Sequence, residues 1–447
     1  MFKRHIIQEL EAWKNSHRRK PLILRGARQV GKTTAVHLFA SSFEQYIYLN
    51  LEKKEDRDPF LKYDSTDDLL AAIFFTKEMN RTSSDTLIFI DEIQESPKAI
   101  SMLRYFYEEY PQYYVIAAGS LLEALFDNSV SFPVGRVEYR ILRPLSFEEY
   151  LYAMGETTAL EQYNTIPIAP FAHDKLLTLF HNYTLIGGMP EVVAAYAETR
   201  ELIKLKPIYE SLIQSYLDDA EKYAKNPNQT QIMRHAIRSC FFEAGKRIKF
   251  QGFGRSNYGS REIGEVLRTM EKAMLIHLVY PTTQTSMPFL SDLKRSPRLH
   301  ILDTGMLNYF AGIQNLIFGV SDLNSVYQGH IAEHIVGQEL LAKQKNILES
   351  LRFWVREKKD SVAELDYLCN ISEEIIPVEV KSGATGRLRS LHLYMNECNC
   401  NLAIRLFAGK VTIDDIITPK GKRYRLLSIP YYLTGKLDEY IKNLPIT

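Results

Sequence analysis

The chain has 447 residues, too many for one compact domain and enough for two to four, and its 45% hydrophobic content excludes wholesale disorder. Lys+Arg 55 against Asp+Glu 54 leaves a formal charge of +1, so bulk charge names no partner and only a local patch can. No stretch approaches the ~20 apolar residues of a membrane span, and Cys240, Cys369, Cys398 and Cys400 form no C-x-x-C pair. The expectation is a cytoplasmic protein with reduced thiols.

The opening MFKRHIIQELEAWK reads as an amphipathic helix, since its apolar run is too short for a signal peptide. PLILRGARQVGKTTAVHLFA then gives an apolar strand, a glycine-bounded loop and a helical pattern. Gly26-x-x-x-x-Gly31-Lys32-Thr33 fits the phosphate-loop template in the strand–loop–helix context that template requires. Here Gly26, Ala27, Arg28, Gln29, Val30 and Gly31 would wrap a polyphosphate with backbone N–H groups. The following helix would aim its positive end at the same anion. Lys32 would reach the β- and γ-phosphates and the Thr33 hydroxyl would ligate Mg²⁺, while Thr34 reads as a helix residue beside the site.

TLIFIDEIQ supplies a buried parallel strand that ends in acids. Asp91 is placed to hold Mg²⁺ through water and Glu92 to polarise the attacking water as general base. A third strand, YYVIAAGS, ends at Ser120, which can sense the γ-phosphate, cap the helix of LLEALF, or do both. Arg136, in PVGRVEYRIL, is either a surface residue or a cover for transition-state charge at a neighbouring subunit, which would make the protein a homo-oligomer. No Asn-Lys-x-Asp tetrapeptide occurs, so ATP is expected rather than GTP.

The segments GARQVGKTT, IFIDEIQ, AAGSLLEAL and FPVGRVEYRILRPLSFEEYL resemble the bacterial and archaeal AAA+ ATPases fused to a C-terminal domain of unknown function. LIGGMPEVV and RLHILDTGML extend the likeness over most of the chain. The resemblance implies an AAA+ strand order with Ser120 as first sensor; a second-sensor arginine is not apparent.

From Leu145 to Tyr223 the pattern is helical, broken at GGMP, and reads as a lid. Residues 245 to 300 then carry ten Lys+Arg and four acids, a net +6. SREIGEVLRTMEKAMLIHLVYP reads as a helix running into a strand, and RLHILD as a returning strand, with Lys294, Arg295 and Arg298 at the loop between. That is the outline of a winged helix, with Ser260, Arg261 and Arg268 at a DNA groove and the loop on phosphates. A protein-docking role is the alternative. Tyr258 is expected in the core rather than stacked on a base.

Beyond Asn324 a helix precedes the strands LRFWVRE, AELDYLC and EIIPVEVKS, then a helix and a last strand. This is the element order of the restriction-endonuclease-like fold, whose chemistry needs an acid on the second strand and acid-x-lysine on the third. Asp366, Glu379 and Lys381 occupy those positions, with Glu333 as an extra acid on the helix. Glu379 and Lys381 share a strand face; the acids could hold Mg²⁺ while Lys381 steadies the attacking hydroxide. HIAEH offers a remote rival, a zinc peptidase built on His330, Glu333 and His334 with Glu339 or Glu364 as further ligand.

The expected fold class is therefore α/β: a P-loop AAA+ three-layer core with a parallel sheet (1–145), a helical lid (146–225), a winged-helix-like basic module (226–325) and a restriction-endonuclease-like domain (326–447). The expected function is an Mg²⁺-dependent ATPase acting on DNA. The alternative is a nucleotide-dependent switch that docks protein partners.

Overall fold

The computed structural model describes residues 2–119, 133–314, 330–344, 350–358, 361–371, 374–381 and 388–443, excepting the side chains of His330, Lys358 and Ser361. The front of the chain builds a five-stranded sheet in the order β2-β3-β4-β1-β5. Its strands are β1 (Leu22–Arg25), β2 (Gln45–Asn50), β3 (Thr86–Asp91), β4 (Tyr114–Gly119) and β5 (Glu138–Ile141). All neighbours pair in parallel. Parallel pairing demands cover on both faces, and the sequence supplies it. Leu22, Leu24, Leu87 and Phe89 face one core with Leu10, Val36 and Phe39. Ile23, Ile88 and Ile90 face the other, with Leu69, Ile73 and Leu103. The unbroken apolar runs of β1 and β3 are thus two alternating faces, each buried against helices.

Behind the sheet come the helices Phe147–Ala153, Thr157–Tyr163, His173–Ile186, Pro190–Thr199 and Lys206–Tyr223. The first starts with a capping box in which Ser146 and Glu149 satisfy one another's backbone N–H. The helix Pro227–Glu243 leads to the helix Ser260–Lys272, whose Ile263, Val266, Leu267 and Met270 are buried. Then follow β6 (Ile276–Val279), β7 (Pro281–Thr282) and β8 (Arg298–Ile301), with β6 antiparallel to β8.

The rear sheet has seven strands, ordered β13-β14-β12-β11-β10-β9-β7. It comprises β9 (Arg352–Lys358), β10 (Ser361–Ile371), β11 (Glu374–Val380), β12 (Leu402–Phe407), β13 (Thr412–Ile417) and β14 (Arg423–Pro430), with β7 added in parallel to β9. β9, β10 and β11 form an antiparallel meander, and β12 joins β11 in parallel after the helix Arg389–Met395. The helix His330–Ala342 precedes the meander. The expected loop between β6 and β8 is therefore not a free wing, because its first residues are a strand of the rear sheet.

Glu339, on that helix, shows how the parts are joined. Its Oε1 accepts from the Phe147 amide at 3.0 Å and the Tyr183 hydroxyl at 2.7 Å, and the residue is buried. Burial raises its carboxyl to about 7. A raised acid contributes stability below its unfolded value near 4.5 and loses it as pH rises through 7. Glu339→Gln keeps an acceptor oxygen and removes the charge, so it should stabilise the protein at pH 8 by up to ~3 kcal/mol and do little at pH 4.5. Urea unfolding at the two pH values measures this; an equal effect at both would contradict it.

Candidate functional site

The loop from Gly26 to Gly31 joins β1 to the helix Lys32–Ala40 and is shaped by its glycines. A Cβ on Gly26 would run into the Leu142 carbonyl, and Gly31 stands at φ 93°, which L side chains avoid. Ala27 and Val30 are buried in the core, so they can offer a ligand only their backbone. Gln29 and Thr34 are exposed.

Lys32 is only 7% exposed, and its Nζ donates to the Gly26 and Ala27 carbonyls at 2.9 and 3.0 Å. Burial lowers its pKa, and the charges of Glu92 and Asp91 oppose that. Thr33 Oγ1 donates to Asp91 Oδ2 at 2.7 Å, bringing together the two oxygen groups expected at a metal. Asp91 is 4% exposed and raised by burial, with the Thr33 hydrogen bond opposing. Tyr48 adds a second hydroxyl to the same carboxylate oxygen at 3.3 Å. Glu92 follows in the left-handed region, φ 50°, an uncommon conformation for a glutamate that turns the chain sharply at the strand end. Its Oε2 accepts from Gln94.

Several residues that sequence reasoning missed hold this loop. Arg4 donates to the Val30 carbonyl at 3.1 Å, to the Arg143 carbonyl at 2.6 Å and to Glu149 at 3.0 Å. Tyr216 donates to the Arg28 carbonyl at 3.0 Å, and Asp219 pairs with the Arg28 guanidinium. These are long-range contacts for which no local motif exists.

Ser120 lies outside the described residues. Arg136 pairs with Glu108 at 3.0 Å. It precedes β5 by two residues, whereas the phosphate loop follows β1, and Leu22 lies opposite Glu138. With four residues of strand between, roughly 13 Å at ~3.3 Å each, Arg136 sits at the other end of the sheet from its own chain's loop.

In the rear sheet the expected acids do converge, but on an arginine. Arg298, on β8 and 3% exposed, reaches Glu333 at 3.3 Å, Asp366 at 3.7 Å and also Glu364. Burial works against its charge, and the carboxylates of Glu333, Asp366 and Glu364 more than offset that. The β9–β10 register shifts between Leu365 and Leu368, so Asp366 sits in an irregular stretch that re-aims it. Asp366 Oδ2 accepts from the Val380 amide at 2.8 Å, and Lys381 pairs with Glu379. Burial, then the neighbouring Asp366, raises both Glu333 and Glu379. Their oxygen chemistry suits a hard cation, yet they do not fit one in this arrangement, because a guanidinium stands among them. Among the described residues no group of three or more His, Cys, Asp or Glu could hold a metal.

Two further expectations are corrected. Arg298 is buried in a carboxylate cage rather than free for phosphates, and Arg295 pairs with Asp292 and Glu357, which leaves Lys294 exposed. The zinc set does not assemble either. His334 Nε2 accepts from the Ile301 amide at 3.0 Å, Glu339 is spent on Phe147 and Tyr183, and Glu364 is spent on Arg298. The His330 side chain lies outside the described residues. Tyr258 is half-buried, edge-on to His235.

Residues 18–151, which hold the front sheet and the phosphate loop, match the family model described as an AAA domain. Residues 177–316 and 328–432 match two models described only as domains of unknown function, DUF8612 and DUF4143. No curated protein matches the chain. Among solved structures, the chain is similar to the Walker-type ATPase PABY2304 of Pyrococcus abyssi, 15% identical with a TM-score of 0.44, over 70% of this chain and 96% of that one. The Aeropyrum pernix ORC1 protein, solved in complex with DNA, is 13% identical with a TM-score of 0.29, over 70% of this chain and 92% of that one. The RuvB Holliday junction branch migration motor of Thermotoga maritima is 14% identical with a TM-score of 0.29, over 66% and 93%.

Arg298→Ala should cost ~3–5 kcal/mol, since it strands buried carboxylates. The loss should be larger at pH 8 than at pH 5, where Glu333, raised to about 8 by burial and the neighbouring Asp366, is protonated; denaturant unfolding of both proteins at each pH tests this.

Proposed function

We propose that this chain is an Mg²⁺-dependent ATPase whose nucleotide cycle drives the domains behind it against nucleic acid in the cytoplasm. The AAA domain supports the ATPase activity, and the observation that carries the mechanism is the 2.7 Å contact of Thr33 with Asp91 beside the buried Lys32. Hard oxygen donors of this kind suit Mg²⁺, with Thr33 and Asp91 as its holders. When bound, the ion would neutralise charge on the β- and γ-phosphates.

The chain's own groups do the rest. Backbone N–H groups of Gly26 to Gly31 bind the phosphates, and Lys32 exchanges its two carbonyl acceptors for phosphate oxygens. Glu92, at the turn after β3, orients the attacking water and accepts its proton. Arg136, facing away from its own site, would act across a subunit interface in a homo-oligomer. Ser120 keeps its proposed sensing role. The division at 145, 225 and 325 is offered with the same standing.

Nucleic-acid contact would run along the exposed face of the helix Ser260–Lys272, where Ser260, Arg261, Arg268 and Lys272 are all exposed. The rear domain has the element order of a restriction-endonuclease-like fold, but no cleavage step is derived while Arg298 stands among its acids. The alternative, a switch that docks protein partners, is separated by salt.

Lys32→Ala should weaken ATP binding ~100-fold, the worth of about two charge-assisted hydrogen bonds, with the fold retained by circular dichroism. Glu92→Gln should still bind ATP while hydrolysing it ~10²–10⁴-fold more slowly. Unchanged affinity or turnover would remove these residues from the site. Duplex DNA affinity should fall with salt, and Arg261→Ala and Arg268→Ala should each shallow the slope of log K against log salt by ~0.9. A flat dependence favours protein docking.

A further inference from the structure

Where the front sheet, the basic segment and the rear domain meet, a cavity of about 260 Å³ opens, lined by Arg25, Arg143, Lys272, His277 and Gln344 among others. Arg143 is its centre. Its Nη1 donates to His277 Nε2 at 2.7 Å and its Nη2 to Gln344 Oε1 at 3.4 Å, while its buried Nε has no partner. An arginine can only donate, so His277 must accept through Nε2 and is the neutral tautomer. Burial also pushes the His277 ring well below its usual range, and the positive charge of Arg143 adds to that. The imidazole therefore brings no charge of its own.

No carboxylate among the described residues pairs with Arg143. Burial, and then the like charge of Arg25, pushes its pKa down to about 10. Glu271 lies in the lining, but its Oε1 accepts from the Leu278 amide at 2.8 Å. A guanidinium held away from water without a counter-charge is costly, and the buried Arg4 and Arg298 avoid that state. Arg4 has Glu149, and Arg298 has Glu333, Glu364 and Asp366.

We propose that this cleft is a binding site for a phosphate group, as free phosphate or as a phosphomonoester, held by the Arg143 fork with Arg25 and Lys272. The planar guanidinium of Arg143, with the Lys272 ammonium in the same lining, matches the several oxygens of a phosphate better than a chloride, which offers no fork of acceptors. The site is separate from the phosphate loop, yet Arg25 is the residue immediately before Gly26. Its ligand would bridge the ATPase core to both domains behind it.

The test uses the full chain carrying Lys32→Ala, which weakens the phosphate loop's hold on phosphates ~100-fold. Thermal unfolding is followed in orthophosphate, in AMP and in chloride at equal ionic strength. Orthophosphate or AMP should raise Tm by ~2–5 °C at saturation, as a ligand binding only the folded state does. A larger rise with AMP identifies a phosphomonoester, and an equal one identifies free phosphate. Adding Arg143→Met should abolish the rise, while in chloride Tm should match or exceed that of the parent because an unpaired buried charge is gone. A structural arginine would instead lower Tm equally in every buffer, and that result overturns the proposal. So does the lack of any rise, or a rise that survives Arg143→Met. If Arg143→Met does not fold, Lys272→Met, an exposed change, decides: its phosphate midpoint should move ~3–10-fold, the worth of one partly screened charge contact, and an unmoved midpoint overturns the site.

Discussion

A cation taken out of water must find a counter-charge or forfeit its hydration, and that constraint organises this molecule from end to end. Arg4 meets Glu149 and at the same time pins the Val30 carbonyl, so the phosphate loop and the helix Phe147–Ala153 are fixed to one guanidinium. Lys32 spends donors on two neutral carbonyls, which satisfies its hydrogen bonds without balancing its charge. Such a lysine favours a polyanion over its present acceptors. Arg298 gathers three carboxylates and, by doing so, fastens β8 to β10 and to the helix His330–Ala342. Each solution fixes one boundary between parts of the chain.

The same contacts give the loop a mechanical context. Tyr216 and Asp219 hold Arg28 from the helix Lys206–Tyr223, while Arg4 holds Val30 from the N-terminal side. A phosphate that reshapes the loop must shift at least one of these partners. Further back, Asp303, just after β8, accepts from the Gly188 amide at 2.6 Å, and Glu339 accepts from Phe147 and Tyr183. Contiguous hydrogen bonds supply a route, and the energy for motion has to come from nucleotide binding one arrangement better than another.

The front domain was legible because its signals are local. A strand, a glycine-bounded loop and a helix lie within about twenty consecutive residues, and the Asp-Glu pair closes its own strand. The acids of the rear sheet were legible too, through the period of two that puts Glu379 and Lys381 on one face. What was not legible was the cation at their centre. Counting charge over 245–300 treats every Lys and Arg as facing water, whereas strand pairing carries Arg298 inward and Glu357 captures Arg247 and Arg295. The partners that decide this lie from 35 to 110 residues further on, beyond any window of composition or periodicity. Arg4, Asp219 and Arg143 escaped notice for the same reason. An isolated charged residue reads as surface until its neighbours are known.

The capture of β7 by the rear sheet ties the basic segment to the rear domain. Parallel pairing with β9, the Arg298 cage and the Glu357 pairs bind the basic segment to the rear domain through buried charge and backbone together. Just after the front sheet, Arg143 bonds across a cleft to His277 of the same segment and to Gln344 of the rear domain. Buried charge and backbone pairing thus make the basic segment and the rear sheet one body. The exposed face of the helix Ser260–Lys272 rides on that body. Its arginines alternate with Glu262 and Glu265, which limits how many phosphates it can neutralise and makes position, rather than bulk attraction, the basis of any grip on nucleic acid.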